Sequence, residues 1–142
     1  ISNIDIMPTV LAAAGGKMPG DRAVDGVNLL PFLAAKPEAQ AGRTLFWRDG
    51  PYRALRHQQW KLISADMPPK DWLFNLATDP TEKVNLAATE PQKLAELKAE
   101  LAAHHAKMPP SRWASFIKMP INIDKTLNQP DAPGDEYTYW SN

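Results

Sequence analysis

Cysteine is missing from this 142-residue chain. Its absence excludes disulfides, thiolate metal sites and a cysteine nucleophile, and it leaves the redox compartment open. Neither a G-x-S-x-G elbow nor a G-x-x-x-x-G-K-[ST] loop occurs, so the motifs of serine hydrolases and of phosphate-binding loops are lacking too. Taken alone, the residues indicate a module without an active site of its own.

An excess of charge and a long apolar run are also lacking. The formal net charge is zero, which argues against a basic footprint for nucleic acid. No apolar stretch approaches the roughly 18 residues of a membrane-spanning helix, so we expect neither nucleic acid nor a membrane as partner. The chain has no initiator Met and no basic leader, and we expect it to be part of a longer protein.

Proline, in contrast, is abundant, with 14 residues in 142, about twice the usual ~5% share. Five prolines follow Met108, in a segment that also carries Trp113 and Trp140. The aromatic content makes this segment too apolar for a disordered linker, and no clear period is visible. We predict an irregular Pro-rich arm over residues 109–142 that packs against a neighbouring surface.

The first residues have the pattern of a short helix. Asp5 is the expected N-cap, and Pro8 falls in the first turn, where its missing N–H costs little. Gly15–Gly16 is the expected end, because a glycine in the left-handed conformation ends a helix at low cost.

A longer amphipathic helix is predicted towards the C-terminus. Thr89 and Gln92 have the spacing of a capping box, and Pro109–Pro110 ends the segment. Leucines at helical spacing form its predicted buried side: Leu94, Leu97 and Leu101.

Four short runs between the helices predict an antiparallel meander: TLFWRD, YRALRH, WKLIS and WLFNLA. Asp49–Pro51 is the predicted first turn. Gln58–Gln59 lacks the Gly or Asn that a tight turn favours, so we expect a wider turn there. The predicted fold class is α+β, a small four-stranded antiparallel sheet packed by the amphipathic helix, with an N-terminal helical segment and the irregular arm.

Histidine and arginine supply the candidate binding residues. His104 and His105 face about 100° apart on a helix, and we interpret them as a solvated pair near its C-terminus. His57 is either a surface loop residue or a substrate-facing one. Arg53 and Arg56 lie on opposite faces of a strand and so do not form one anion clamp. Ion pairs and solvated faces are the favoured interpretation of the arginines.

Four motifs follow one another along the chain: D-x-x-P-T from Asp5, D-G-x-x-L-x-P from Asp25, W-K-L-I from Trp60 and D-P-x-E-x-x-N-L from Asp79. Their order resembles the C-terminal part of the type I sulfatases, the arylsulfatase-like, formylglycine-dependent hydrolases of the alkaline-phosphatase-like superfamily. The resemblance implies three parts. Residues 1–40 would end the parent's catalytic domain, residues 41–108 would form a C-terminal subdomain, and residues 109–142 would be an extension.

The resemblance also implies a function for the parent, the hydrolysis of sulfate esters with calcium and a formylglycine residue. The family's C-x-P-x-R or S-x-P-x-R nucleophile motif does not occur here, and its calcium ligands lie upstream. We therefore assign no catalytic residue, no metal ligand and no cofactor to this chain, and we predict that it is inactive alone. Its implied partner is the rest of the catalytic domain, and family analogy suggests a periplasmic or extracellular parent.

Within such a parent, the chain is expected to support the substrate pocket. The candidate substrate contacts are Arg48 beside the first turn, His57, and Trp113 in the arm. Two alternatives stay open. One is a phosphodiesterase or phosphonate hydrolase of the same superfamily, and the other is a free-standing non-catalytic binding module.

Overall fold

The computed structural model divides the chain into two compact units, residues 1–42 and 43–142, which are described separately below. The residues that the structure describes are 2–33, 43–66, 69–110, 112, 118–122, 129–130, 132–133, 135 and 137–141. The division into parts at residues 40 and 108 stays a prediction.

The first unit begins with a single 3₁₀ turn, Asn3–Asp5, followed by helix α1, Ile6–Ala13. Gly15 has a φ of +71°, and the amide of Gly16 donates to the carbonyl of Leu11 at 2.9 Å. This is the Schellman arrangement, which satisfies carbonyls left over at a helix end. The predicted helix and its glycine stop are confirmed. A short helix α2, Leu30–Leu33, follows.

Asp5 acts differently from the predicted N-cap, because its side chain makes no capping bond to α1. It is fully buried. One carboxylate oxygen accepts from the amide of Ser2 at 2.9 Å and the other from the amide of Val27 at 3.0 Å. The hydroxyl of Thr9 donates to the carbonyl of Asp5 at 2.6 Å and accepts from the amide of Leu29 at 3.0 Å. The first two sequence motifs are therefore joined by backbone-to-side-chain bonds.

Gly26 lies where the backbones of these two segments are in close contact. A Cβ atom at this position would overlap the carbonyl oxygen of Ile4. Because the overlap is with backbone, a side chain here would force the segments apart. The glycine of the D-G-x-x-L-x-P motif is therefore explained by a close backbone approach.

The second unit contains the predicted meander. Strands β1 (Thr44–Asp49), β2 (Tyr52–His57), β3 (Trp60–Asp66) and β4 (Pro69–Asn75) form one antiparallel sheet in the order β1-β2-β3-β4. Helix α3, Pro91–His105, covers one face of this sheet. The predicted α+β class is confirmed.

One row of side chains crosses all four strands on the face that α3 covers. Cross-strand pairing places Phe46 opposite Leu55, Leu55 opposite Leu62, and Leu62 opposite Leu73. The three leucines are fully buried, and they pack with Leu97 and Leu101 of α3. This row and the helix seam form the core of the unit. Each buried leucine side chain contributes about 1.5–3 kcal/mol to the stability of the fold. The predicted seam is confirmed, with Leu94 partly buried at its edge.

The start of α3 differs from the prediction. The helix starts at Pro91 after Glu90, with no side-chain cap, so the capping box at Thr89 is wrong. Proline suits this first helical position because its fixed φ is already helical. In β4, Leu73 joins the core row, and Trp72 and Phe74 lie on the opposite face of the sheet.

The turn between β2 and β3 is tight, so the predicted wider turn is wrong. His57 pairs with Trp60, which leaves only Gln58 and Gln59 in the loop, and Gln58 has a φ of +53°. Leu55 must lie opposite Leu62 for both to reach the core, and a one-residue slip would turn one strand's apolar residues outwards. The buried register therefore holds a glutamine in a conformation that favours glycine.

The arm was expected to be irregular. The structure instead contains an antiparallel strand pair within it, β5 (Lys118–Asn122) and β6 (Tyr137–Ser141). The run YTYWS of β6 is rich in aromatic and β-branched residues, which favour strands. A strand signal was thus present in the sequence.

Candidate functional site

His57 ends β2 on the helix-covered face and lies directly opposite Thr44 of β1. Its Nδ1 atom is 2.7 Å from the Thr44 hydroxyl, and that hydroxyl is 2.6 Å from Oε1 of Glu100 on α3. Oε2 of Glu100 is 3.9 Å from His57 Nδ1. The three side chains form a polar cluster, the His57 cluster, between the sheet and the helix.

Sequence reasoning selected His57 but missed Thr44 and Glu100. The first turn is Gly50–Pro51, one residue shorter than the predicted Asp49–Pro51, because Asp49 pairs with Tyr52, and this length places Thr44 opposite His57. Glu100 reaches the cluster only because α3 packs across the sheet with Leu97 and Leu101 inwards. That packing is a tertiary feature, and no motif announces it.

Arg48 lies on the same face, at the other end of β1 and opposite Arg53. Its Nη1 donates to the carbonyl of Pro109 at 3.1 Å, while Arg53 pairs with Asp66. Like charges directly opposite each other on a sheet are unfavourable, and these two contacts offset that repulsion. A small cavity of about 40 Å³ beside them is also lined by His104 and Met108.

His104 does not belong to a solvated pair as predicted. Its ring stacks on that of Phe46 at 3.8 Å between centroids, with an angle of 1° between the planes. Parallel aromatic contact of this kind adds to the apolar packing. His104 therefore extends the core row towards the end of α3.

The predicted substrate contacts do not gather at one point. Arg48 and His57 share a face, but Arg48 lies four residue steps along β1 from Thr44, the partner of His57. At about 3.3 Å per residue this is about 13 Å. Trp113 lies outside the described residues, so its place relative to the other two stays a prediction.

The opposite face of the sheet carries a larger depression of about 470 Å³. Its floor follows one cross-strand row, Trp47, Ala54 and Ile63. Lys61 and Glu82 form an ion pair at its margin, with 2.6 Å between Nζ and the carboxylate. The volume lies within the roughly 300–1,000 Å³ of ligand sites. An apolar floor with charged margins suits contact with another surface better than bond-breaking chemistry.

The described residues lack the groupings of a metal site and the helix of a membrane span. Within them, no three His, Asp or Glu side chains are close enough to hold a metal ion. No helix in the described part of the chain has the length and apolarity to cross a bilayer. The His57 cluster supplies hydrogen-bonding groups. Arg48 supplies a guanidinium that can bind an anion.

Parts of known proteins resemble this chain in sequence and in fold. No protein-family model matches the chain. It is 31% identical to arylsulfatase K of Gallus gallus over 113 residues, which cover 68% of the chain and 20% of that protein. A second relative is steryl-sulfatase of Rattus norvegicus, 32% identical over 79 residues, 56% of the chain and 13% of that protein. A solved 2-O GAG sulfatase superposes with a TM-score of 0.59 and 25% identity over 72% of the chain and 24% of its own.

The chain corresponds to the C-terminal portion of a sulfatase. The resemblance stated from the four motifs is confirmed. This sulfatase portion spans about a quarter or less of each of the three proteins named above. It is thus part of a larger sulfatase domain.

The D-P-x-E-x-x-N-L motif of the sulfatase portion has a structural role. Asp79 accepts from the amide of Val84 at 2.8 Å, and this bond is the main cause that lowers the pKa of the Asp79 carboxyl. Asn85 accepts from the amide of Leu73 at 2.9 Å and donates to the carbonyl of Asp71 at 3.0 Å. The two bonds of Asn85 occupy the outer edge of β4, which would otherwise be an unpaired strand edge.

Proposed function

We propose that the whole protein is a sulfuric ester hydrolase and that the described chain supports its substrate pocket. The 31% identity to arylsulfatase K across 68% of the chain carries this proposal. The fold it shares with the 2-O GAG sulfatase supports it. The formylglycine nucleophile and the calcium ligands would then come from the part of the sulfatase domain that precedes this chain.

Arg48 and His57 are the proposed substrate contacts within the described residues, with Trp113 as a third. Arg48 is exposed at the end of β1, and it uses Nη1 for the Pro109 carbonyl. A guanidinium has five N–H donors, so donors remain for the negative charge of a sulfate ester. The 13 Å between Arg48 and the His57 cluster fits contacts to two different parts of one substrate.

Activity of the full-length protein tests the reaction class. We expect turnover of an aryl sulfate such as 4-nitrophenyl sulfate, and much slower turnover of the matching phosphodiester and phosphonate. A preference for either phosphorus substrate would favour the superfamily alternative. The 142-residue chain alone should give no turnover above a heat-killed control, because it lacks the nucleophile motif.

Substitution tests the role in the pocket. Arg48→Ala, His57→Ala and Trp113→Ala in the full-length protein should each raise KM for a sulfate ester more than they lower kcat, since each removes a binding contact. Arg22→Ala is the matched control, because Arg22 is an exposed arginine paired with Asp21. Unchanged KM in all three variants would remove these residues from the pocket.

The exposed face of α1 favours a part of a larger domain over a free-standing binding module. Ile6, Met7 and Val10 are 61%, 50% and 62% exposed, and neighbouring apolar side chains of this kind usually pack against another surface. We expect the isolated chain to associate in size-exclusion chromatography and to melt without a sharp transition. A monodisperse, cooperatively melting chain would support the binding module instead.

A further inference from the structure

The hydroxyl of Thr44 stands between a histidine and a glutamate. It lies 2.7 Å from Nδ1 of His57 and 2.6 Å from Oε1 of Glu100. Both distances are those of good hydrogen bonds. The side chains of His57 and Glu100 are 32% and 36% exposed, so the cluster is covered on the helix side and open to solvent on another.

Counting protons decides the direction of these bonds. An ionised carboxylate only accepts, and a threonine hydroxyl has a single proton to donate. The hydroxyl must therefore donate to Glu100, and it can only accept from His57. Neutral His57 then carries its proton on Nδ1, which leaves the lone pair of Nε2 unshared by this cluster.

Charge decides what suits the Nε2 atom. Oε2 of Glu100 lies 3.9 Å from Nδ1 of His57. This negative charge disfavours a sulfate group beside the His57 ring. A neutral group with a proton to donate fits both the lone pair and the nearby negative charge. A hydroxyl group meets this requirement.

We propose that Thr44 and Glu100 are positioning residues that hold His57 as a hydrogen-bond acceptor for a hydroxyl group of the substrate. This inference rests on the proposed function and narrows its substrate class to sulfate esters that also carry a free hydroxyl. Arg48, about 13 Å away, would meet a negative charge elsewhere on the same molecule.

The tautomer of His57 is the first test, and it does not depend on activity. The full-length protein is labelled with ¹⁵N-histidine, and the His57 signals are identified by their loss in His57→Gln. Long-range ¹H–¹⁵N correlations of the neutral ring should show the proton on Nδ1. Thr44→Val should lose this preference because the acceptor is gone, and Thr44→Ser should keep it. A proton on Nε2 in the unsubstituted protein would overturn the proposal.

Kinetics with two substrates is the second test. One is 4-nitrophenyl sulfate, which has no hydroxyl, and the other is a 4-nitrophenyl glycoside sulfated at one position. A neutral hydrogen bond contributes about 0.5–1.5 kcal/mol, which is about 2- to 12-fold in KM. Thr44→Val should raise KM by this factor for the sulfated glycoside alone, with kcat retained, and Thr44→Ser should restore it.

The two tests separate the possible failures. If Thr44→Val changes KM equally for both substrates, or for neither, the hydroxyl contact is overturned, although the protein would still be a sulfatase. No turnover of any sulfate ester by the unsubstituted protein would overturn the proposed function and the substrate contact with it. The tautomer result would then still report whether Thr44 and Glu100 orient His57.

Discussion

Thr9 holds the Leu29 amide against α1, and replacing it with valine should free that amide while Val27 stays bound to Asp5. The hydroxyl makes two neutral hydrogen bonds, to the carbonyl of Asp5 at 2.6 Å and from the amide of Leu29 at 3.0 Å. Valine has nearly the same shape but neither donates nor accepts. The carbonyl of Asp5 remains within reach of the α1 backbone, whereas the amide of Leu29 loses its acceptor.

The expected loss follows from these bonds. The bond that protects the Leu29 amide is the one to Thr9, and a buried donor left without its acceptor costs about 1–3 kcal/mol, so Thr9→Val should cost about that much local stability at Leu29. At 1.4 kcal/mol per factor of ten, the amide of Leu29 should exchange with solvent about 5- to 140-fold faster. Thr9→Ser keeps the hydroxyl and should change the exchange far less.

Site-resolved amide hydrogen exchange of the full-length protein measures this effect. The amide of Val27 is an internal reference, because it donates to the carboxylate of Asp5 and not to Thr9. Faster exchange confined to Leu29 is the expected pattern, since local openings report local contacts. Unchanged exchange at Leu29 in Thr9→Val, or equal acceleration in Thr9→Ser, would refute the assigned bond.

Three further predictions concern the second unit. Gln58→Gly should raise stability by up to about 1.5 kcal/mol in urea unfolding, because relief of a left-handed residue (about 1–2 kcal/mol) exceeds the entropy cost of glycine (about 0.5–1 kcal/mol). A loss of stability would contradict the observed φ of Gln58. The pKa of Asp79 is lowered below the ordinary 3.8, so the contribution of this carboxylate to stability is present above about pH 4 and is lost as pH falls through the folded pKa. Asp79→Asn should therefore flatten the dependence of Tm on pH below 4. An unchanged slope would argue against the bond to Val84. Asn85→Ala should destabilise the protein by about 1–3 kcal/mol, because the amide of Leu73 is left unsatisfied, whereas Asn85→Asp, which keeps the acceptor, should cost less in the same unfolding measurement.

The confirmed predictions share a physical basis. Repetition of apolar residues at periods of two and of about 3.6 produces strands and helices wherever one face is buried. This is why the four-strand meander and the Leu97–Leu101 seam were predicted correctly. The glycine stop after α1 was equally local, since only the conformation of Gly15 matters there.

The errors arose where long-range packing overrides local preference. Gln58 is a poor turn residue, yet the pairing of Leu55 with Leu62 forces it into the turn. Asp5 is a residue type that favours the N-cap position, but the amide of Val27, 22 residues away, competes for its carboxylate. His104 was interpreted as solvated because no local pattern places Phe46 beside it.

The candidate site divides in the same way. The order of the four motifs indicates a sulfatase portion without coordinates. Arg48 and His57 were candidates because of their residue types, which are also properties of the sequence. The pairing of Thr44 with His57 depends on the Gly50–Pro51 turn, which the sequence placed only to within one residue. Strand geometry places Arg48 about 13 Å from the His57 cluster. Only the tertiary structure decides that Glu100 completes the cluster, because the docking of α3 on the sheet depends on the fit of its leucines into the core. No local interaction along the chain specifies that fit.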